Sequence, residues 1–340
     1  MPVSTREIII DKHSNMVIAA KADTSYAVSS PIYMEDVGEA EELFGKDCDL
    51  VKAFKIAQEL GVKDIFLMNT RSHQDLLNAQ EVFDQNDFAY VVPIGINFSD
   101  TFVDITNGSE KTNFYAYLFN RTKIRSKTVF VLTDKHASLY EDMDTFIESM
   151  NYAEKVFLWS CYPETNRHNV ILCANNLQNT EHANLYLAAA LCTTDASEYP
   201  ETDFGPAIFS IDEWDMTGSW AYFKSHELQP TTVENLLNMG DVHTPNKIVT
   251  VNRILNIIER ELDFSEFLGQ AYTSYKDLLI EQKLNRYLGK LMGYLIYDYK
   301  INSIQAYKGM PGTVTVLCRY VISPKNTTES ISMEKEVTVG

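Results

Sequence analysis

Two short stretches hold the residue types that acid–base chemistry would need. In TDKHAS, Asp134 and His136 lie at the end of an apolar run, the place where α/β enzymes set their sites. In DEWD, Asp212, Glu213 and Asp215 crowd carboxyl groups into one turn. General acid and base work needs carboxyl groups opposed at a defined separation, so adjacent acids read instead as a solvated surface. Asp134 and His136 have no nucleophile beside them, and a loop turn is the plainer reading. The 7 histidines are spread so that no two share a helical turn, and a metal site would have to gather them from distant loops. The five cysteines, Cys48, Cys161, Cys173, Cys192 and Cys318, form no CxxC pair, and three sit in apolar runs, which predicts buried thiols. No GxGxxG follows a strand, and neither a GxxxxGK[ST] phosphate loop, a GxSxG elbow nor an HExxH helix occurs. The expectation is a chain with no catalytic, cofactor-binding or metal-ligating residues and no cofactor. An α/β enzyme or ligand-binding protein with an unrecognised site is the alternative, with Asp134, His136 and the acids near 212 as its first suspects.

The elements that would position such residues are those of a globular chain. At 340 residues, 45% apolar and 22% charged, there is room for about two domains. A net charge of −18 excludes a nucleic-acid binder, which needs a basic face to release counterions. No run of roughly 18 apolar residues occurs, so no membrane insertion is expected. The start MPVSTREIII lacks the basic and apolar regions of a signal peptide, which predicts assembly in the cytoplasm.

REIIID and NMVIAAKA read as strands. From Val37 helix and strand alternate. DVGEAEELFG and DLVKAFKIAQELG are helices closed by Gly45 and Gly61, and KDIFLMNT is a buried strand. HQDLLNAQEVFDQ and EKTNFYAYLFNRT read as helices. AYVVPIGI, KTVFVLTD, EKVFLWSCY and HNVILCANN read as strands, and EHANLYLAAALCTT as a helix covered on both sides. This is the pattern of a mixed, largely parallel sheet flanked by helices. Residues 193–244 read as irregular. Beyond Pro245, TVNRILNIIERELD and LIEQKLNRYLGKLMGYLIYDY carry apolar helical stripes, and GTVTVLCRYVIS and SISMEKEVTVG read as strands. The domain reading is an N-terminal arm and strand over 1–24, an α/β domain over 25–240, and a C-terminal α+β domain over 241–340. The last strand alternates Ile331, Met333, Val337 and Val339 against Ser332, Glu334, Glu336 and Thr338, with Lys335 breaking the apolar side.

The order of these segments resembles the contractile tail sheath proteins of phages and of phage-tail-like injection systems. SSPIYMEDVGEAEELFG gives that family's Pro loop, acidic helix and Phe-Gly. DLVKAFKIAQELGVKDIFLMNT and HQDLLNAQEVFDQNDFAYVVPIG follow in its order. VILCANN, NLYLAAAL and TTDASEYP match its middle, and Val251, Arg253, Leu255, Ile258, Glu259 and Leu262 match its late VxRxLxxIExxL helix. The ordered set covers about residues 30 to 340, and it is the order rather than any one motif that is specific. The family's Pro-Gly-Val-Tyr start is missing, and the chain is short for the family.

The resemblance implies a structural subunit, not an enzyme. Copies would stack as six-fold rings around a tail tube and contract to drive the tube through a cell envelope. The partners implied are the subunit itself, the tail tube protein, and baseplate and tail terminator proteins, in a virion tail. It also implies that terminal strands add to sheets of neighbouring copies. Ile8, Ile9 and Ile10 are the candidates at one end and Ile331, Met333, Val337 and Val339 at the other, although these strands would equally close their own sheet. A late helix faces the tube in that family. Lys283, Arg286 and Lys290, a basic stripe at i, i+3 and i+7, are the candidates for that contact, or else a solvated face beside Glu281.

Overall fold

The computed structural model describes residues 13–86, 88–104, 110–121, 128–162, 169–202, 208–211, 216–224, 231–239, 248–308 and 313–339. In chain order the strands and helices are β1 (Met16–Ala20), β2 (Ile32–Met34), α1 (Val37–Phe44), α2 (Asp49–Glu59), β3 (Ile65–Asn69), α3 (His73–Asn78), α4 (Gln80–Gln85) and β4 (Tyr90–Pro93). Next come β5 (Thr101–Asp104), β6 (Glu110–Asn113), α5 (Phe114–Arg121), β7 (Val129–Thr133), α6 (Met143–Ser160), β8 (Val170–Cys173) and α7 (Ala183–Thr193). Then follow β9 (Glu201–Thr202), β10 (Tyr222–Lys224), β11 (Thr231–Glu234), α8 (Val249–Glu261), α9 (Ser274–Leu291), β12 (Ile296–Lys308), β13 (Val314–Pro324) and β14 (Ile331–Val339). They fall into two compact units, one reaching Asp195 and adding Pro200–Lys247, the other made of Ala196–Tyr199 with the chain from Ile248 onward.

The first unit is built on a sheet of order β2-β3-β1-β4-β7-β8, parallel except for β2. All of β1 is buried, as are β4, β7 and β8. Strands apolar on both sides belong in the middle of a parallel sheet covered by helices on each face. This makes residues 16–20, within the NMVIAAKA strand read from the sequence, a strand of the sheet interior paired with β3 and β4. REIIID, with Ile8, Ile9 and Ile10, lies outside the described residues. Helix α7 is buried on nearly every face, because it packs on β4, β7 and β8 and meets α2.

Local chemistry sets the helix ends. Asp36 accepts the Glu39 N–H at 2.8 Å to start α1, and Gly45 ends it at φ +98°, where a Cβ would come within 2.8 Å of the Asp23 carboxylate. Asn113 takes the same part at α5, accepting the Ala116 N–H at 2.9 Å. Two helical readings change as a result. EKTN is the second strand of the β5–β6 hairpin rather than the first turn of a helix, and HQDLLNAQEVFDQ breaks in two at Ala79.

EKVFLWSCY is not a strand. It is the last part of α6, whose buried side chains Phe146, Ile147, Met150, Ala153, Glu154 and Phe157 recur at helical spacing from well upstream of VFLW. Glu154 belongs to that buried face because both its carboxylate oxygens accept the Ser219 N–H, at 2.9 and 2.8 Å.

In the second unit, α8 and α9 pack over one face of the antiparallel sheet β12-β13-β14. The long helix read from sequence stops at Leu291. Gly293 turns the chain at φ +79° and donates its N–H to the Ile296 carbonyl at 2.9 Å. IYDYKINSIQAYK is therefore a strand, and register shifts at Ile296/Asp298 and Ile301/Ser303 blur the alternation that would have marked it.

Above the first sheet the chain between β1 and β2 is held by one amide. Asn69 is 0% exposed; its Oδ1 accepts the Ala22 N–H at 3.1 Å, and its Nδ2 donates to the Thr24 and Tyr26 carbonyls. Asn69→Ala leaves these groups without partners and should cost about 2–4 kcal/mol. Urea unfolding measures this, and a loss below about 1 kcal/mol would contradict this role for the amide.

Candidate assembly surfaces

Of the residues that looked catalytic, Asp134 and His136 are tied into the fold. The Ser138 N–H points to Nδ1 of His136 at 3.3 Å, so Nδ1 is an acceptor, and Nε2 donates to the Leu177 carbonyl at 2.7 Å. With the Ser138 hydroxyl also 2.7 Å from Nδ1, both ring nitrogens are committed to stapling two loops. Asp134 is 1% exposed, and its Oδ1 accepts the Ser99 hydroxyl at 2.8 Å and the Lys135 N–H at 2.9 Å. Its Oδ2 has no partner. Burial, aided by the nearby Asp100 charge, pushes the Asp134 carboxyl above the ordinary range. Burial also acts on Asp100, but hydrogen bonds from His73, at 3.1 Å, and from Asn97 outweigh it and hold that carboxyl low.

Asp212, Glu213 and Asp215 lie outside the described residues. Among the described residues no group of His, Cys, Asp and Glu could hold a metal ion. Cys48, Cys161, Cys173 and Cys318 are buried free thiols, and Cys192 is half-buried. Burial pushes Cys173 far above the ordinary thiol range and Cys318 up to about 12, which leaves neither a ready nucleophile. A shallow cleft of about 670 Å³ is lined by Lys52, Lys55, His136, Glu181 and His182. Its Lys55 is already paired with Glu41 at 2.6 Å, and its His136 is spent on the loop staple.

The closing strand takes the outer place beside β13, from Ile322↔Ile331 to Val314↔Val339. Its inner side chains Ile331, Met333, Val337 and Val339 are 9%, 8%, 2% and 0% exposed and form part of their own unit's core. Burying each contributes roughly 1.5–3 kcal/mol. Its apolar face is thus occupied within the chain, while its far edge has no strand partner among the described residues. Lys335, the break in the apolar alternation, reaches from the inner face to the Glu259 carbonyl at 3.4 Å, in the last turn of α8.

The basic stripe of α9 divides. Lys283 donates to Glu266 at 2.8 Å and lies 5.3 Å from the Phe264 ring centre, so it belongs to its own unit. Arg286 and Lys290 are exposed and have no ion-pair partner among the described residues. Ile280, Leu284, Leu288 and Leu291 face the core, which aims the two cations outward.

The sequence reading missed one further surface. The outward side of α6 exposes Tyr152 and Trp159, and helical spacing of 152, 155 and 159 opposite 146, 150, 153 and 157 is the signal that the strand reading of EKVFLWSCY hid.

No family model matches the chain, and no curated protein matches it in sequence. Solved structures do match in fold. The sheath tail protein of Listeria innocua superposes with a TM-score of 0.65 at 9% identity, over 95% of this chain and 94% of that one. That of Desulfitobacterium hafniense gives 0.61 at 11% identity, over 96% of each. The anti-feeding prophage helical sheath in its contracted state gives 0.59 at 9% identity, over 100% of this chain and 96% of that one. The class of fold is set by this: one mixed α/β sheet unit and one helix-covered antiparallel sheet unit, in the chain order of tail sheath proteins. The chain carries the tail sheath fold across almost its whole length.

Asp134 makes the first unit pH-sensitive in a definite direction. Its native pKa is raised, so the stability it contributes is full below the unfolded carboxyl value of about 4 and is lost as pH rises through the native value. Asp100, held low, contributes in the opposite sense. Asp134→Asn should therefore gain on the wild type as pH rises from about 4 to 7.5. Urea titrations at the two pH values test it, and a pH-independent difference between the proteins would contradict it.

Proposed function

We propose that this chain is a contractile tail sheath subunit, which polymerises as stacked six-fold rings around a tail tube and contracts to drive the tube through a target envelope. The observation that carries this is near-complete fold overlap with two sheath tail proteins and with a contracted helical sheath. The work is mechanical and requires no catalytic residue or cofactor, and the commitment of both His136 nitrogens and of Asp134 Oδ1 to the fold supports that reading. Its partners are other copies of itself, the tail tube protein, and baseplate and tail terminator proteins. Its place is the tail of a virion or phage-like particle assembled in the host cytoplasm. Among the described residues no helix is long and apolar enough to cross a membrane.

The join between copies is proposed to be strand addition. A neighbour's strand laid on the free edge of β14 would be held by main-chain hydrogen bonds, which keep their geometry while subunits rotate as rigid bodies. Ile8, Ile9 and Ile10 are the proposed strand from the neighbour. Ile331, Met333, Val337 and Val339 serve this join by fixing β14 to its own core, so that its edge is presented rather than exchanged.

The tube contact is proposed at the exposed part of the α9 stripe, led by Arg286 and Lys290, with Lys283 behind them. A contact that must hold and then release suits a small polar patch, because a large apolar one would not let go. Replacing Lys283, Arg286 and Lys290 together by Glu should leave a folded subunit that no longer assembles on tubes. Normal extended tails from the triple variant, seen by negative-stain microscopy, would sink the tube assignment, and Lys283→Glu alone should act mainly on stability through loss of Glu266.

A further inference from the structure

Helix α6 has two opposite faces, and among the described residues only one packs within the chain. Phe146, Ile147, Met150 and Phe157 enter the core of the first unit. On the other side, Asp144, Glu148, Tyr152, Lys155 and Trp159 form one straight stripe, all of them exposed. Tyr152 is 69% and Trp159 66% exposed, large values for side chains of this kind. Lys155 lies over the Trp159 ring with its Nζ 5.4 Å from the centroid, a cation–π contact within the stripe. The helix end is pinned as well, since Asn120 donates to the Ser160 carbonyl at 2.6 Å.

The order of charge along this stripe names a partner. Acids occupy the first half and aromatics with a lysine the second, so the stripe complements itself when reversed. Laid antiparallel on a second α6, Glu148 of one copy meets Lys155 of the other, and Asp144 falls beside Trp159. Both pairings share one midpoint, next to Tyr152, and so belong to a single register. Acids near a helix start are favoured by the helix dipole alone, and Asp142 already caps this end by accepting the Thr145 N–H. The dipole gives no reason for two exposed aromatics on the same stripe in the other half.

We propose that the outward stripe of α6 pairs antiparallel with the same stripe of a second copy of this chain, forming a weak twofold dimer. A contact between two helices of this length falls near or below roughly 1,000 Å², the size of transient rather than permanent interfaces. A twofold contact closes on itself and cannot propagate a tube. The dimer is therefore separate from the sheath lattice proposed above, and it holds copies in solution outside that lattice.

Two measurements on the full chain test this. Tyr152→Cys should form a disulfide-linked dimer on mild oxidation, because position 152 adjoins the twofold midpoint, whereas Trp159→Cys, opposite Asp144, should not. The wild type, whose thiols are buried or half-buried, is the control. In sedimentation equilibrium, Lys155→Glu or Glu148→Lys alone should weaken dimerisation on the order of tenfold, since each change breaks two symmetric pairs, and the double swap should restore it. These positions are exposed, so the variants should keep the wild-type circular dichroism. A chain that stays monomeric to about 1 mM, the concentration that corresponds to only ~4 kcal/mol of association, would overturn the proposal. So would equal cross-linking at 152 and 159, or a double swap no better than the singles.

Discussion

An edge strand has partners for only half of its backbone groups, and in this chain that constraint falls on β14. Its apolar side chains are committed to a core with α8 and α9, and its inner edge to β13, so neither can be exchanged without opening the unit. What stays without a strand partner, among the described residues, is a row of main-chain donors and acceptors on the outer edge of β14. A lattice joined through such an edge gains affinity from backbone hydrogen bonds and needs no exposed apolar surface to provide it. Lys335 fits the same design: it sits in the apolar face yet spends its charge on the carbonyl end of α8, which ties the strand to the helix layer.

The first unit gives the rigid body such a lattice needs. Its parallel strands are buried on both faces, and the polar residues at their ends turn inward to hold loops. Asn69 gathers the chain after β1, His136 ties the turn after β7 to Leu177, and Glu154 clamps Ser219 from α6. These are positions where an α/β enzyme would leave acids and histidines open to a substrate. Here their hydrogen-bond capacity is largely consumed within the fold, and the Oδ2 of Asp134, though without a hydrogen-bond partner, is buried.

Much of this was legible in the sequence, for local reasons. Continuous apolar runs such as MVIAA and IFLMN, bounded by polar and turn residues, fit inner strands, and Gly45 after α1 marks where that helix stops. The readings that failed are those where local pattern and tertiary packing disagree. VFLW has strand composition, but the side chains it shares a face with lie upstream in α6. The bulges of β12 shift its alternation out of phase, and the apolar spacing of α9 runs on in sequence to Leu295 although the helix ends at Leu291 and the chain turns at Gly293. Which charges of α9 are free could not be read at all, because Glu266, the partner of Lys283, comes from a separate turn. The order of elements was more informative than any residue, and at 9–11% identity to the sheath structures order is what remains to be read.

The outer edge of β14, which has no strand partner among the described residues, carries the proposed join between copies. Electron cryo-microscopy of the purified protein, polymerised in low salt, examines that edge directly. A helical polymer in which a strand from a neighbouring copy lies against the outer edge of β14, with β13 and β14 still paired as here, is the predicted result. A persistent monomer, or a polymer whose β14 edge faces only solvent, would contradict it.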